Sequence, residues 1–319
     1  MALDRSGHLV SRTYSELARD ISRLAAGLAH SGLIDGKTIM LWAPNCPEWV
    51  IAYFAITVAG NVVIPVDDQI STEGLGAVLR HSRPACVVTV AHHLPALDAF
   101  DDYAGGNCIL LDQDRDDAPG WRRVCREHVD VHIPVPGPEQ VASLLYTSGT
   151  TGPPKAVPLT HANLMSNVRA LVTADLISAK DRVLVPLPLF HAYAATVGML
   201  GALGAGAAMI LPSAVSGPEL TTAARQARAT VLLGVPRLYT ALVESIESGI
   251  RSGGFAARAL YALLIYASIA LSSSLGIRVG RIVFRQIHNR IGADLHILAS
   301  GGARLEPALA RKLEGLGWE

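Results

Sequence analysis

The sequence contains little charge and few aromatic residues. Only 17% of the 319 residues are Asp, Glu, Lys or Arg, the 27 basic residues balance the 27 acidic ones, and aromatic residues make up 5%. Because there is no basic excess, we expect no binding to nucleic acid. Hydrophobic residues make up 50%, which excludes intrinsic disorder. The core should therefore be aliphatic, and the length suits one large domain or two ordinary ones.

Cysteine is also scarce, and its spacing is loose. Cys46, Cys86, Cys108 and Cys125 form no CxxC pair, and no group of cysteine and histidine has zinc-finger spacing. Such spacing in a chain of this length indicates reduced thiols, which predicts a cytoplasmic protein. The first residues contain no apolar stretch of the signal-peptide type, so we expect no secretion.

Two long stretches, residues 192–218 and 259–277, contain no charged residue. A membrane-spanning helix needs about 20 apolar residues, so both pass a test of length. Glycines and Pro212 interrupt the first stretch, which therefore predicts a buried helix followed by a buried strand. For the second stretch we favour packing within the core or a subdomain, and peripheral contact with the inner membrane surface is the alternative. The alternative depends on the flanking arginines, which are Arg251, Arg258, Arg278 and Arg281.

Strand and helix patterns alternate along the chain. Strands are predicted at 37–42, 61–66, 85–90, 108–111, 141–146, 182–186, 207–211, 230–234 and 295–299. Helices are predicted from Ser15 to about Gly32, from Pro47 towards Gly60 with Asn45 as its cap, after Ser71, from Thr160, and at 218–228, 236–250, 255–272, 278–291 and 306–315. This alternation predicts an α/β fold with parallel-sheet layers flanked by helices.

A proline-rich segment, residues 131–138, interrupts this alternation. Proline-rich segments form stiff connectors. The segment therefore predicts a first α/β subdomain over residues 1–135 and a second over 136–319, which carries the glycine-rich loop described next.

The most informative segment, residues 145–157, follows a predicted strand and reads Leu-Tyr-Thr-Ser-Gly-Thr-Thr-Gly-Pro-Pro-Lys-Ala-Val. Glycines allow backbone N–H groups to turn inward as an anion-binding nest. The hydroxyl groups add donors, and Lys155 adds a mobile positive charge suited to a phosphate. The spacing matches neither a Walker A loop nor a nucleophile elbow. The segment predicts a polyphosphate site, and the strand-to-loop context disfavours the alternative of a plain surface turn.

Residues 146–157 resemble the phosphate loop of the adenylate-forming (AMP-binding) superfamily, which includes acyl-CoA synthetases, luciferases and peptide-synthetase adenylation domains. Further segments resemble motifs of that family in the same order, so the resemblance covers nearly the whole chain. They are Arg-Thr-Tyr-Ser-Glu-Leu at 12–17, Pro-Leu-Pro-Leu-Phe-His at 186–191, Gly-Val-Pro-Arg-Leu-Tyr at 234–239 and Ala-Ser-Gly-Gly-Ala at 299–303. Within the family the chain is most similar to the N-terminal portion of long-chain fatty acyl-CoA synthetases (ligases).

The resemblance implies a fold and a set of site residues. The fold would be the αβαβα-type large N-terminal domain of adenylate-forming enzymes. The reaction would activate a carboxylic acid, here a long-chain fatty acid, with ATP to an acyl-adenylate, and then transfer the acyl group to coenzyme A. His191 would orient the carboxylate and Lys155 would bind phosphate, together with Thr147, Ser148, Gly149, Thr150, Thr151 and Gly152. Thr150 would also help to hold Mg²⁺, and Ser300, Gly301, Gly302 and Ala303 would line the adenine.

The sequence also departs from the family. Ala156 stands where glycine is usual, which we expect to be tolerated because its side chain is one methyl group. The family's small C-terminal domain, with its adenylation lysine, lies beyond the segments matched here. We therefore expect negligible turnover by this chain without its C-terminal half or a partner chain. The alternatives are an acyl-AMP ligase that loads a carrier protein, an aryl or short-chain ligase, and a non-catalytic nucleotide-binding fragment or remnant.

Overall fold

The structure is a computed structural model that describes residues 1–3, 7–100, 107–126, 133, 135–147, 155–275 and 279–319. Its strands are β1 (Ala2–Leu3), β2 (Leu9–Val10), β3 (Thr38–Trp42), β4 (Val62–Val66), β5 (Cys86–Thr89), β6 (Cys108–Leu110), β7 (Val141–Thr147), β8 (Lys155–Thr160), β9 (Arg182–Leu184), β10 (Ala208–Ile210), β11 (Val231–Gly234) and β12 (Ile297–Ser300).

Its helices are α1 (Tyr14–His30), α2 (Pro47–Val58), α3 (Thr72–Ser82), α4 (Leu94–Leu97), α5 (Trp121–Arg126), α6 (His161–Thr173), α7 (Ala202–Gly204), α8 (Gly217–Gln226), α9 (Pro236–Arg251), α10 (Gly254–Leu275), α11 (Gly280–Val283), α12 (Arg285–Ile291) and α13 (Pro307–Leu316). A 3₁₀ turn over Ala91–His93 precedes α4, and a π-helix over Ala194–Gly201 precedes α7. The alternation of strands and helices confirms the predicted α/β fold.

The contacts divide the chain into two compact units. The first unit comprises Met1–Val10, Leu171–Leu187 and Val197–Glu319, and the second comprises Ser11–Ala170 and Pro188–Thr196. The predicted boundary between residues 135 and 136 falls inside the second unit. The reason is that β7 pairs in parallel with β4, so one sheet continues past the proline-rich segment.

The second unit is built on a six-stranded sheet with the order β6-β5-β3-β4-β7-β8. All neighbouring strands are parallel except β7 and β8, which are antiparallel. Three consecutive residues of β3, Ile39, Met40 and Leu41, are fully buried. Burial of successive residues means that both faces of the sheet are covered, as in parallel sheets flanked by helices.

The helix starts in this unit follow local side-chain chemistry, with one correction. The Ser71 hydroxyl accepts a hydrogen bond at the start of α3, as predicted. Thr13 and Glu16 form a capping box at α1, which was predicted to begin at Ser15 without a cap. The prediction that Asn45 caps α2 is wrong. Cys46 directly precedes Pro47, and its Sγ accepts from the backbone N–H of Trp49.

The first unit is built on a four-stranded parallel sheet with the order β10-β9-β11-β12. Its core includes side chains of the strands and of α8, α9, α12 and α13, among them Leu184, Ala223, Tyr239, Ile291 and Leu316. The uncharged stretch 192–218 provides buried helical residues and the buried strand β10, as predicted. The single helix predicted at 278–291 is instead two, α11 and α12, which meet at Phe284.

The second uncharged stretch lies mainly on the surface of the first unit. Residues 254–272 of α10 form a helix long and apolar enough to cross a membrane, but only 6% of that segment is buried. One face packs on α13, where the Ser268 hydroxyl donates to the Gly315 carbonyl. A Cβ at Gly315 would lie 2.5 Å from Ile269 Cγ1, so glycine permits this close approach. The favoured interpretation of core packing thus holds for one face only.

Candidate functional site

The ends of the predicted phosphate loop are brought together by a pair of antiparallel strands. Thr147 is the last residue of β7, Lys155 is the first residue of β8, and the two are directly paired. The Thr147 hydroxyl lies 3.4 Å from the Lys155 carbonyl oxygen, and the Lys155 side chain is exposed. Ser148, Gly149, Thr150, Thr151 and Gly152 lie outside the described residues, so their phosphate and Mg²⁺ roles stay predictions. The paired strands thus bring together the two ends of a seven-residue segment, with the Thr147 hydroxyl at one end and the Lys155 ammonium group at the other.

The strand β8 was not predicted from the sequence. Pro158 in its middle argues against a strand, since proline cannot donate to a ladder. The structure places β8 at the edge of the sheet, where a missing donor is tolerated. Ala156 lies in this extended strand opposite Tyr146, so a side chain is accommodated where the family usually has glycine.

Tyr146 connects the end of β7 to the helix α3. Its hydroxyl oxygen lies 2.6 Å from His81 Nδ1, and the two rings meet edge to face with centroids 5.7 Å apart. Burial raises the pKa of Tyr146, so the phenol keeps its proton near neutral pH. No local pattern pointed to this contact, because 65 residues separate the partners.

Asn45 holds the loop that carries His191 in place within the second unit. Asn45 Oδ1 accepts a hydrogen bond of 2.9 Å from the backbone N–H of Leu189, which is buried. The Phe190 ring lies 4.0 Å from the His191 ring, centroid to centroid. Burial lowers the pKa of His191, and the nearby carboxylate of Asp67 opposes that shift. The imidazole is therefore mostly neutral at neutral pH.

A π-helix begins three residues after His191. Such helices are rare and occur often at functional sites. Gly198 lies inside it, and a Cβ there would lie 2.8 Å from side-chain atoms of Leu233 and Val185. Glycine thus allows the helix to approach the four-stranded sheet closely.

The phosphate-loop ends and the His191 loop meet at the same edge of the six-stranded sheet. Asn45 follows β3, Asp67 follows β4, and Thr147 ends β7, so all three lie at the carboxyl ends of parallel strands. Lys155 shares this edge through its pairing with Thr147. Ligands of open α/β sheets bind at this edge, so the arrangement forms a candidate anion-binding site.

The predicted adenine-binding residues, Ser300 to Ala303, belong to the first unit. Ser300 ends β12, and the backbone N–H of Gly301 donates to the Gly234 carbonyl at the end of β11. Gly302 has φ of +76°, a conformation that favours glycine. Ser300 Oγ is shielded from solvent and has no hydrogen-bond partner among the described residues. The turn therefore presents a free polar atom at the carboxyl edge of its own sheet.

Within the 234–239 motif, Tyr239 has a structural role that the sequence did not predict. Arg237 in the same motif is exposed. Tyr239 is fully buried, and its hydroxyl lies 2.9 Å from the Leu232 carbonyl oxygen and 2.8 Å from that of Ala299. One side chain thus joins β11 to β12 just before the Ser300–Ala303 turn. Its position three residues after Pro236, at the start of α9, was the available signal.

Comparison with known proteins identifies the family. The chain matches the AMP-binding enzyme family over residues 2–318 and belongs to it. It is 35% identical over 231 residues to a feruloyl-CoA synthase of Amycolatopsis sp, and the aligned region covers 72% of this chain and 45% of that protein. It is 26% identical over 313 residues to the peroxisomal long chain acyl-CoA synthetase 7 of Arabidopsis thaliana, and the aligned region covers 92% of this chain and 44% of that protein.

A solved structure agrees with this assignment. The ATP-bound crystal structure of MatB from Rhodopseudomonas palustris superposes with a TM-score of 0.65 at 27% identity, over 75% of this chain and 46% of that one. The chain spans about half the length of the curated relatives it matches, at 45% and 44% of the two named above.

Proposed function

We propose that this chain is the nucleotide- and acid-binding part of an AMP-forming acid–thiol ligase. In this reaction a small-molecule carboxylate attacks the α-phosphate of ATP, giving an acyl-adenylate and pyrophosphate. Coenzyme A then takes the acyl group and AMP leaves. The observation that supports the proposal most is the placement of Thr147, Lys155 and the His191 loop at one edge of the six-stranded sheet. The named relatives act as CoA synthases and synthetases.

Each site residue has a role that fits its chemistry. The mobile ammonium group of Lys155 offsets the negative charge of the phosphates as pyrophosphate leaves. A neutral His191 offers a hydrogen bond that orients the carboxylate. An imidazolium would form an ion pair with this nucleophile and make it less reactive. Ser300 to Ala303 contact the adenine, and Mg²⁺ near Thr150 remains part of the proposal.

Binding of ATP in the presence of Mg²⁺, measured by calorimetry on the 319-residue chain, tests the phosphate role. We expect Lys155→Ala to weaken binding about tenfold or more, because a hydrogen bond to a charged group contributes ~1.5–3 kcal/mol. Lys37→Ala is the matched control, since Lys37 is exposed and precedes the amino end of β3, at the opposite edge of the same sheet. Equal effects of the two variants would contradict the proposed site.

A second assay separates the remaining alternatives. The chain is combined with the downstream half of the protein and supplied with ATP, an acid and either coenzyme A or a carrier protein. Acyl transfer to coenzyme A supports the ligase, and transfer to the carrier alone supports an acyl-AMP ligase. Binding of ATP with no acyl-adenylate would favour a non-catalytic nucleotide-binding remnant.

For the acid, we propose a long aliphatic chain held in a cavity of the first unit. The cavity has a volume of about 780 Å³ and lies among α8, α9, α12 and the sheet. This volume is within the usual range for ligand sites. Its described lining is mostly aliphatic and contains no aromatic ring, with Leu232, Leu238, Leu242, Ile246 and Ile287 among its members. Leu232 lies two residues, about 7 Å along the strand, before the end of β11, where Gly234 pairs with Ser300 of the predicted adenine turn.

Non-hydrolysable acyl-adenylate analogues test this choice of acid. Ala241 lines the cavity and Thr240, its neighbour on α9, is exposed and does not. Ala241→Phe should weaken binding of a hexadecanoyl analogue several-fold and leave a feruloyl analogue unaffected, whereas Thr240→Phe should change neither. Tighter binding of the feruloyl analogue by the unmodified chain would favour an aryl-acid ligase instead.

We also propose that α10 rests on the inner surface of a membrane in the cytoplasm. Four large apolar side chains on one broad face of this helix are exposed, namely Phe255 (84%), Leu260 (56%), Leu263 (65%) and Tyr266 (74%). Arg258 is exposed beside them, which suits anionic headgroups. The guanidinium of Arg281 donates to two backbone carbonyls, which fixes its position, and Arg278 lies outside the described residues.

Sedimentation with phosphatidylglycerol vesicles tests this contact. Phe255→Ser combined with Leu263→Ser should reduce the bound fraction, and Val135→Ser, at a position that is 92% exposed in the second unit, should not. Unchanged binding of the double variant, or equal binding to neutral phosphatidylcholine vesicles, would contradict the proposal.

A further inference from the structure

Three metal-ligand side chains cluster at the carboxyl edge of the six-stranded sheet, outside the roles proposed above. Asp68 follows β4, and His92 and His93 follow β5. One ligand atom of each lies within 4.8 Å of the others. Because the strands β4 and β5 flank β3, the two short segments after them come together only in the folded sheet.

The tautomer of His93 is set by its neighbours. Its side chain is 7% exposed, and its ring stacks on Trp42 with centroids 3.8 Å apart. Nδ1 lies 3.1 Å from the Trp42 carbonyl oxygen and 3.0 Å from the Thr89 hydroxyl. A carbonyl only accepts, and the Thr89 hydroxyl itself donates to the same carbonyl, so Nδ1 must carry the proton. In the neutral ring, Nε2 therefore presents a lone pair.

An unsatisfied oxygen lies close to that nitrogen. Nε2 lies 3.2 Å from Asp68 Oδ1, which is shielded from solvent and has no hydrogen-bond partner among the described residues. Two acceptor atoms at this distance repel each other unless a cation lies between them. The exposed His92 supplies a third donor, with its ring centroid 4.1 Å from that of His93.

We propose that Asp68, His92 and His93 bind a divalent transition metal of the Zn²⁺ class. Zinc bonds of about 2.0–2.2 Å to nitrogen and oxygen place tetrahedral ligands roughly 3.3–3.5 Å apart, close to the separation between Nε2 and Oδ1. The Nδ1–H contact to a backbone carbonyl is the outer-shell arrangement usual for a metal-bound histidine. Two imidazoles disfavour Mg²⁺ and Ca²⁺, which prefer oxygen ligands. A water molecule completes the tetrahedron.

The ion would join two loops of the candidate anion-binding site. Asp68 adjoins Asp67, whose carboxylate acts on His191, and His93 contacts the end of β3 through Trp42. Binding would thereby stabilise the carboxyl edge of the sheet against local opening. The proposal does not depend on the ligase function.

Metal binding by the 319-residue chain tests the proposal. The protein is freed of metal with a chelator and titrated with Zn²⁺ by calorimetry and with Co²⁺ by visible absorption. We expect one equivalent to bind, with the intense visible bands of tetrahedral cobalt. Asp68→Asn and His92→Ala should each weaken binding at least tenfold, whereas His30→Ala, which removes an exposed histidine at the end of α1, should leave it unchanged.

Other outcomes would overturn the proposal. His93 is buried, so His93→Gln is interpreted only if its circular dichroism spectrum is native, and the exposed His92 keeps the test independent of folding. Absence of binding would mean that a proton occupies the gap between Nε2 and Oδ1, and equal binding by all variants would mean that the metal binds elsewhere. A sulfur-to-cobalt charge-transfer band would place the metal on a cysteine instead.

Discussion

The buried hydroxyl of Tyr239 allows a sharp test of how the first unit is held together. Tyr239→Phe keeps the ring and leaves no cavity, and it removes only the donor to the carbonyl oxygens of Leu232 and Ala299. Loss of a buried hydrogen bond with one partner left in place costs about 1–3 kcal/mol. We therefore expect the variant to be less stable by that amount.

Urea unfolding followed by tryptophan fluorescence measures this difference. Tyr266→Phe is the matched control, because Tyr266 is 74% exposed and surface substitutions usually change stability by less than about 0.5 kcal/mol. Hydrogen exchange adds a local measurement, since the Gly301 N–H donates to the Gly234 carbonyl beside the altered contact. Equal unfolding midpoints for the two variants, with unchanged Gly301 exchange, would refute the argument.

Three further changes have expected outcomes. Gly234→Ala should destabilise the first unit by roughly 1–3 kcal/mol in urea unfolding, because its Cβ would lie 2.7 Å from the Tyr239 ring; wild-type stability would contradict this. Asn45→Ala should speed hydrogen exchange of the Leu189 N–H, whose acceptor it removes; unchanged exchange would show that the loop is held otherwise. Burial lowers the pKa of His288, so the neutral ring stabilises the fold fully only above the unfolded pKa of about 6.5. The free energy of unfolding should therefore fall as the pH drops below that value, and it should fall less steeply in His288→Gln. Identical pH profiles for the two proteins would exclude His288 as the cause.

Helix starts could be predicted because their chemistry is local. Ser71, the predicted cap of α3, bonds to the backbone N–H three residues further on, and this spacing is visible in the sequence. Thr13 makes the same contact at α1, although it was not predicted. Asn45 misled the prediction because its side chain bonds to Leu189 instead, 144 residues away. A local pattern cannot indicate that a cap residue is engaged by a distant loop.

The two uncharged stretches show the limit of composition. The π-helix over Ala194–Gly201 and the helix α10 are both apolar, yet only the first contributes fully buried residues such as Ala194 and Met199 throughout its length. Burial depends on which elements cover a helix, and α10 is covered on the side that packs against α9, α11 and α13 and exposed on the other. Hydropathy alone therefore could not decide between core and surface.

The α/β class and the order of most strands and helices could be read from the sequence, because they depend on periodicity. The phosphate-loop residues stay a prediction from a short run of glycine, hydroxyl and lysine. Folding alone brings β7 and β8 together across the loop, places Asn45 against the His191 loop, and sets His93 beside Asp68. Each of these contacts joins segments that are separate in sequence, and their distances follow from how the parallel sheet aligns the ends of its strands.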